Sequence, residues 1–179
     1  MLSVSTTTRP PRPNEADGRE YHFISSEEFE ERLKKGLFLE HAEFAGYSYG
    51  TERGNLEAAK SAGKDLLLDI DVKGVQQLRA HFAEQVVSVF VFPPSFDLLE
   101  ARLRNRGTEG ASQIEERLQI AREEIALLRT EGFTDYLVIN ESVADAAGKV
   151  HAIVQAEQLR LRRFLEPGLG QLFSPKPSQ

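Results

Sequence analysis

Asp65-Leu-Leu-Leu-Asp-Ile-Asp-Val72 decides the fold class, because it opens a regular alternation of apolar runs and helical patterns. The run reads as a buried strand, followed by a helix from about Gly74 to Phe82. Val86 to Phe92 reads as a second buried strand. Pro93-Pro94-Ser95 then opens a helix to about Asn105, since proline suits a helix start and restricts the residue before it. Ser112 with Glu115 three residues on has the form of a capping box, which predicts a long helix to about Glu131. Tyr136 to Asn140 is a third strand, and Val143 to about Leu165 a last helix. Alternating strands and helices predict an α/β fold with a parallel sheet covered by helices. The Gly, Pro, Ser and Lys residues after Pro167 predict a disordered tail over 167–179.

The segment before Asp65 reads differently. Leu2 to Thr6 alternates apolar and hydroxyl residues, as a half-buried strand does. Arg9-Pro10-Pro11-Arg12-Pro13 excludes helix, and Asp17-Gly18 marks a turn. Tyr21–Ile24 and Phe38–Phe44 read as strands around a helix from Ser26 to Lys35. Ser25 and Glu28 form a capping box at its start, and Gly36 suits its end. Tyr47 to Thr51 is a further extended piece. The expectation is a small mixed α+β lobe with one helix, joined to the α/β core.

Composition narrows the function classes. At 179 residues one domain is expected, with room for a real core. A formal charge of −6 and a pI near 5.3 argue against a non-specific nucleic-acid binder. With no cysteine there is neither a disulfide nor a thiolate metal site, which fits a reducing compartment. The longest clean apolar stretch is too short to span a membrane, and Met1-Leu2-Ser3-Val4-Ser5 has no signal-peptide form. A cytoplasmic protein is the expectation. The histidines at 22, 41, 81 and 151 share no metal-binding spacing, and no G-x-S-x-G occurs.

The candidate chemistry clusters near the N-terminus. Two arginines, Arg9 and Arg12, and two tyrosines, Tyr21 and Tyr49, suit a phosphate, whose oxygens accept from guanidinium forks and phenols. Glu40 with the hydroxyls of Ser5 and Thr51 suits the polar edge of a base. Together they describe a pocket for a nucleoside monophosphate. Taken one at a time, the arginines also fit a surface basic loop, and the tyrosines fit core aromatics with exposed hydroxyls. Glu40, among apolar neighbours, needs a partner, either an internal arginine or a ligand. Asp69 and Asp71 share one face of the expected strand at its carboxyl end, where an acid holds a magnesium shell, accepts from a base amine, or is simply solvated. Arg102 and Arg106 share a helix face, and Arg117 stands on the far side of Gly107-Thr108-Glu109-Gly110-Ala111, which has the form of a mobile lid. These arginines fit charge neutralisation on a transferring phosphoryl group or routine helix solvation.

Several motifs in one order resemble the guanylate kinase family. They are Ser3-Val-Ser-Thr-Thr-Thr-Arg-Pro-Pro-Arg12, Asp17-Gly-Arg-Glu-Tyr-His-Phe23, Phe38-Leu-Glu-His-Ala-Glu-Phe44, Tyr49-Gly-Thr51 and Leu68-Asp-Ile-Asp-Val-Lys-Gly74. Phe92-Pro-Pro-Ser95, Arg102-Leu-Arg-Asn-Arg-Gly-Thr108 and Val138-Ile-Asn140 continue the series. The resemblance runs from Ser3 to about Arg163. It implies a P-loop kinase-like domain over 1–166, with a GMP-binding lobe over about 7–52 and a helical lid over about 102–117. It implies transfer of the ATP γ-phosphoryl to GMP, with magnesium. By position, Arg9, Arg12, Tyr21 and Tyr49 would hold the GMP phosphate. Glu40 and Asp71 would accept from the guanine ring N–H and exocyclic amine, with Ser5 and Thr51 completing base recognition. Arg102, Arg106 and Arg117 would clamp the donor phosphates, Asn140 would lie near the donor nucleotide, and Asp69 near the magnesium.

The family pattern begins with a strand, a glycine-rich GxxGxGKS/T loop and a helix. No G-x-x-x-x-G-K-[ST] occurs in these 179 residues. The expectation is therefore an N-terminally shortened guanylate kinase whose core is incomplete at that end and whose catalysis falls steeply. Unpaired strand edges would favour self-association through the gap. The alternative reading is a non-catalytic GMP-binding or protein-interaction module.

Overall fold

A computed structural model describes residues 1–106 and 110–161. In chain order they form β1 (Ser5–Thr7), β2 (Tyr21–Phe23), α1 (Ser26–Lys34), β3 (Phe38–Phe44), β4 (Tyr47–Glu52), α2 (Arg53–Ser61) and α3 (Val72–Phe82). A 3-10 turn at Ala83–Gln85, β5 (Val89–Phe92), α4 (Phe96–Arg106), α5 (Ala111–Glu131), β6 (Tyr136–Ile139) and α6 (Val143–Gln158) follow. They divide into two units, Met1–Val86 with Leu103–Phe133, and Val87–Arg102 with Thr134 onward.

The first unit holds a four-stranded sheet in the order β2-β1-β4-β3. Only β1 and β2 run parallel; the other two pairings are antiparallel. The threonine run of β1 fixes it to β4. Thr7 Oγ1 donates to Ser48 O at 3.0 Å, and Ser48 N donates to Thr8 Oγ1 at 3.0 Å. Thr6 and Thr7 are fully buried, so the chain is pinned just where it turns into the proline-rich loop. β3 and β4 form a hairpin in which Phe44 faces Tyr47. Its two turn residues, Ala45 and Gly46, have φ of 50° and 78°. Positive φ at both central positions is the type I′ geometry that matches strand twist.

The register of β3 shifts between Phe38, opposite Glu52, and Glu40, opposite Thr51. The irregularity replaces the inside-outside alternation with three consecutive buried residues, Phe38, Leu39 and Glu40. Phe38 stacks on Phe29, the buried residue of α1, with ring centroids 4.5 Å apart. β3 is an edge strand, and α3 covers that edge. The Gln77 amide donates to His41 O at 2.7 Å and accepts from His41 N at 3.2 Å, which satisfies backbone groups an edge would otherwise leave open.

Five expectations about individual elements need correction. Residues 65–71 do not form a strand; they carry one isolated parallel bridge, Leu2 to Leu67. Hydrogen bonds to Met1 O and from Ser3 N are the backbone pairing of Leu67, and Leu67 itself is 51% exposed. An apolar run is a strand only where a partner strand extends the ladder, and here the pairing stops at the single Leu2–Leu67 bridge. Second, the first lobe is followed directly by a helix, α2, that the sequence reading lacks. Third, α5 starts at Ala111 behind Gly110, whose N–H donates to Gln113 Oε1 at 3.0 Å, so Ser112 is inside the helix and is not its cap. Fourth, Ser25 caps α1 by accepting from Glu28 N at 3.1 Å, but the Glu28 carboxylate reaches forward to Arg32 and does not close the box. Fifth, the last helix, expected to reach about Leu165, ends at Gln158 with Leu159 as its C-cap. The expected lid over about 102–117 includes 107–109 and the expected tail lies past 161; these parts lie outside the described residues.

In the second unit β5 and β6 pair in parallel, Val89 with Tyr136 through Phe92 with Ile139. This is the parallel pairing described for the core; a larger helix-covered parallel sheet is not present among the described residues. Ser88 closes its entrance: Ser88 N donates to Asp135 Oδ2 at 2.8 Å. Val138 and Ala146 are buried, whereas Val91 and Leu137 are 49% and 62% exposed. Among the described residues no helix is long and apolar enough to cross a membrane.

Alanine at positive φ is strained by roughly 1 kcal/mol or more, and asparagine tolerates that region. Ala45→Asn is expected to raise stability by about 0.5–1 kcal/mol by giving the turn its favoured Asn-Gly pair. Urea unfolding followed by circular dichroism checks it.

Candidate functional site

Rigid backbone positions the basic end of the site. The loop after β1 contains three prolines between positions 10 and 13, which limits its freedom before any ligand arrives. Arg9 Nη2 meets both oxygens of Glu15 at 2.9 Å, and Arg9 Nη1 donates to Pro10 O at 2.7 Å. Arg12 N donates to Glu15 Oε2 at 2.8 Å, and the Arg12 guanidinium lies 3.6 Å from Glu15 Oε1. Burial pushes the Glu15 carboxyl up, yet the Arg12 N–H and the Arg9 guanidinium together hold it below its ordinary value. Arg9 also lies over the Tyr21 and Phe23 rings, 5.4 and 5.8 Å from their centroids. Arg117 of α5 sits over Phe44, 4.9 Å from its centroid.

The acidic end is built by β3 and the start of α3. Glu40 is 4% exposed. Burial, with the neighbouring Asp71, pushes its carboxyl above the ordinary glutamate value. Thr51, opposite it on β4, is fully buried; its hydroxyl lies beside the carboxylate and tempers the rise, without a hydrogen bond of ordinary geometry. Asp71 caps α3 by accepting from Gly74 N at 2.8 Å. The strand geometry expected for Asp69 and Asp71 is therefore replaced by a loop and a helix cap. Both still face one cavity. Glu124 of α5 is a fourth acid nearby, accepting from Val72 N, and burial with Asp71 pushes its carboxyl up.

Two adjoining cavities connect these ends. Ser5, Tyr21, Glu40, Ala42, Tyr49 and Asp71 line the first, together with Phe44, Gly50, Asp69 and Ile70. Arg9, Arg12 and Arg117 line the second, with Tyr21, Phe44, Tyr49 and Asp69 again on its wall. The shared residues make a continuous aromatic side, in which Tyr21 and Tyr49 meet edge to face at 6.0 Å. Burial, with Asp69 and Tyr49, raises the Tyr21 phenol, which keeps it a hydrogen-bond donor. The result is a pocket with carboxylates at one end and guanidinium groups at the other.

The structure thus brings together Ser5, Arg9, Arg12, Tyr21, Glu40, Tyr49, Asp69, Asp71 and Arg117. Thr51 stands behind Glu40, off the cavity wall. Asp69, Asp71 and Arg117 come from outside the expected 7–52 lobe. Arg102 and Asn140 lie in the second unit, where Arg102 Nη2 donates to Asn140 O at 3.0 Å and Glu141 O at 3.3 Å. Asn140 Oδ1 is buried there with no hydrogen-bond partner. The Arg106 side chain lies outside the described residues. Sequence reading missed Glu15, Phe44, Gly74 and Glu124. Glu15 had a signal, an acid three residues after Arg12; the others are ordinary strand and helix residues.

Comparison with known proteins gives the same name from three directions. The guanylate kinase family model matches residues 1–157. The guanylate kinase of Sphingopyxis alaskensis is 47% identical over 162 residues, 90% of this chain and 72% of that protein. The guanylate kinase of Symbiobacterium thermophilum is 47% identical over 163 residues, 90% of this chain and 75% of that protein. The crystal structure of guanylate kinase from Anaplasma phagocytophilum superposes with a TM-score of 0.75 at 34% identity, covering 90% of this chain and 77% of that one.

The buried Glu40 has a consequence for stability against pH. Its folded pKa is raised, so the folded chain holds this proton more tightly than the unfolded chain does. The stability it contributes is complete below the ordinary glutamate pKa and is lost as pH rises through the folded value. Glu40→Gln is therefore expected to unfold at a higher temperature than the parent at pH 8 and at the same temperature at pH 4. Calorimetry at both pH values checks this; an equal gap at both would remove ionisation as the cause.

Proposed function

The chain belongs to the guanylate kinase family, and from that premise we propose how its pocket serves transfer of the ATP γ-phosphoryl to GMP, giving ADP and GDP. The observation that carries the reading is the division of charge along one cavity wall, with Glu40 and Asp71 at one end and Arg9, Arg12 and Arg117 at the other. A nucleoside monophosphate has the complementary division. Its phosphate is a dianion, and guanine presents a ring N–H and an exocyclic amine as adjacent donors. The aromatic side of Tyr21, Phe44 and Tyr49 suits the flat, weakly polar middle of such a ligand.

Glu40 and Asp71 accept from the guanine donors, and the Ser5 hydroxyl on the same wall completes the polar surroundings of the base, while Thr51 supports Glu40 from behind. Burial disfavours the Glu40 charge in the empty pocket; two N–H donors from the ligand supply what water no longer does. Adenine lacks the 2-amino donor and would leave a buried carboxylate short of a partner, which costs about 1–3 kcal/mol or more. Arg9, Arg12, Tyr21 and Tyr49 bind the phosphate. Held there, its attacking oxygen is positioned for in-line displacement, a reaction that depends mainly on placement and neutralisation of charge.

On the donor side the reading follows the resemblance. Arg102, Arg106 and Arg117 neutralise the ATP phosphates, and Asn140 lies by the donor nucleotide. Magnesium reaches such sites on the phosphates and takes one or two protein carboxylates, with no full cage. The exposed Asp69, on the wall shared by both cavities, fits that need and would hold the ion. Asp69 would thereby place beside the phosphates a cation that would supply neutralisation of the charge on the transferring group.

Isothermal titration of the 179-residue chain tests the assignment. GMP is expected to bind and AMP to bind far more weakly. Arg9→Ala is expected to weaken GMP by roughly 10- to 150-fold, from the ~1.5–3 kcal/mol of a hydrogen bond to a charged group. Equal affinity for GMP and AMP would overturn the base-reading assignment, and unchanged GMP binding by Arg9→Ala would overturn the phosphate assignment. In turnover assays with magnesium-ATP, ADP release is expected to depend on GMP.

A further inference from the structure

We propose that Gly74 is a positioning residue for guanine recognition, fixing the spacing of the two acceptors, Glu40 and Asp71. The inference rests on the base-reading role of those two carboxylates. Gly74 lies in the first turn of α3, where a glycine weakens a helix relative to alanine. The space beside Glu40 accounts for it. The Gly74 N–H donates to Asp71 Oδ1 at 2.8 Å and holds that side chain at the helix start. Its missing side chain leaves the space that the Glu40 carboxylate occupies. A Cβ built on Gly74 would stand 2.6 Å from Glu40 Oε2 and 3.2 Å from its Cδ. No real Cβ comes that close to an oxygen, so the carboxylate would have to move.

The direction of the conflict separates a positioning role from a packing role. The atoms a Cβ would meet are the end of the Glu40 side chain and, at 3.3 Å, Ile70 Cδ1. None of these three nearest atoms is backbone, so a methyl group is accommodated first by displacing Glu40. Glu40 is 4% exposed and cannot relax into water. An alanine at 74 would therefore leave the helix intact and move the acceptor away from the guanine donors.

The test compares four full chains, the parent, Gly74→Ala, Glu40→Ala and the double variant, by GMP titration and thermal unfolding. Gly74→Ala is expected to weaken GMP at least tenfold while its Tm stays equal or rises, because alanine favours the helix. In the Glu40→Ala background, with no carboxylate to displace, the same substitution is expected to change GMP affinity less than twofold. GMP binding by Gly74→Ala within twofold of the parent would overturn the proposal. So would a lowered Tm, or an equal loss in both backgrounds, either of which makes Gly74 a packing position. If Glu40→Ala binds GMP as the parent does, the base-reading assignment itself falls, whatever Gly74→Ala does.

Discussion

A carboxylate enclosed in a strand and left 4% exposed sets the terms for the rest of the first unit. Removing such a charge from water costs several kcal/mol unless donors replace the lost hydration. The local structure supplies only part of that replacement. The register shift in β3 turns Glu40 inward, Thr51 lies across from it, and the start of α3 stands beside it, where the helix dipole favours negative charge. Asp71, at the same helix end, adds a like charge that works the other way. Gln77 ties α3 to the edge of β3 and keeps this unfavourable neighbourhood from drifting apart. In the proposed reading, the stability given up at this point leaves acceptors ready for donors from a ligand.

The opposite end follows the reverse logic. Arg9 and Arg12 are already engaged by Glu15, so no charge there waits for a ligand. The gain is placement: the prolines restrict the loop, Glu15 aims the guanidinium groups, and the Tyr21 and Phe23 rings support Arg9. In the proposed role a phosphate shares these N–H groups with Glu15, and five donors on each arginine let both acceptors be served. One pocket thus contains a strained acid end and a relaxed basic end.

The sequence exposed those parts that depend on local chemistry. Positive-φ turns, proline exclusion and the Ser25 cap follow from single residues, and β3, β4 and α1 were placed within a residue or two. Most residues of the cavity wall were legible for the same reason: arginine, tyrosine and buried glutamate are unusual enough to be noticed. What failed depends on partners remote in sequence. Asp65–Val72 looks like a strand by its apolar run, but a ladder exists only if a neighbour supplies it. α2 begins directly at the end of β4, with Gly54 in its first turn and no side-chain cap, so no signal marked it. The aromatic side at Phe44 and the opening at Gly74 arise from a hairpin, a register shift and a helix start converging, and none of these convergences is written in one segment.

The aromatic wall also makes the chain an optical instrument. It has no tryptophan and four tyrosines, so its near-ultraviolet emission is tyrosine emission alone. Two of the four, Tyr21 and Tyr49, meet edge to face on the cavity wall, with the Arg9 guanidinium over the Tyr21 ring. A molecule entering the pocket alters the surroundings of half the fluorophores at once, while Tyr47, in the hairpin of the same unit, lines neither cavity and serves as an internal reference. Occupancy of the pocket is written into the protein's own light, with no dye and no substitution.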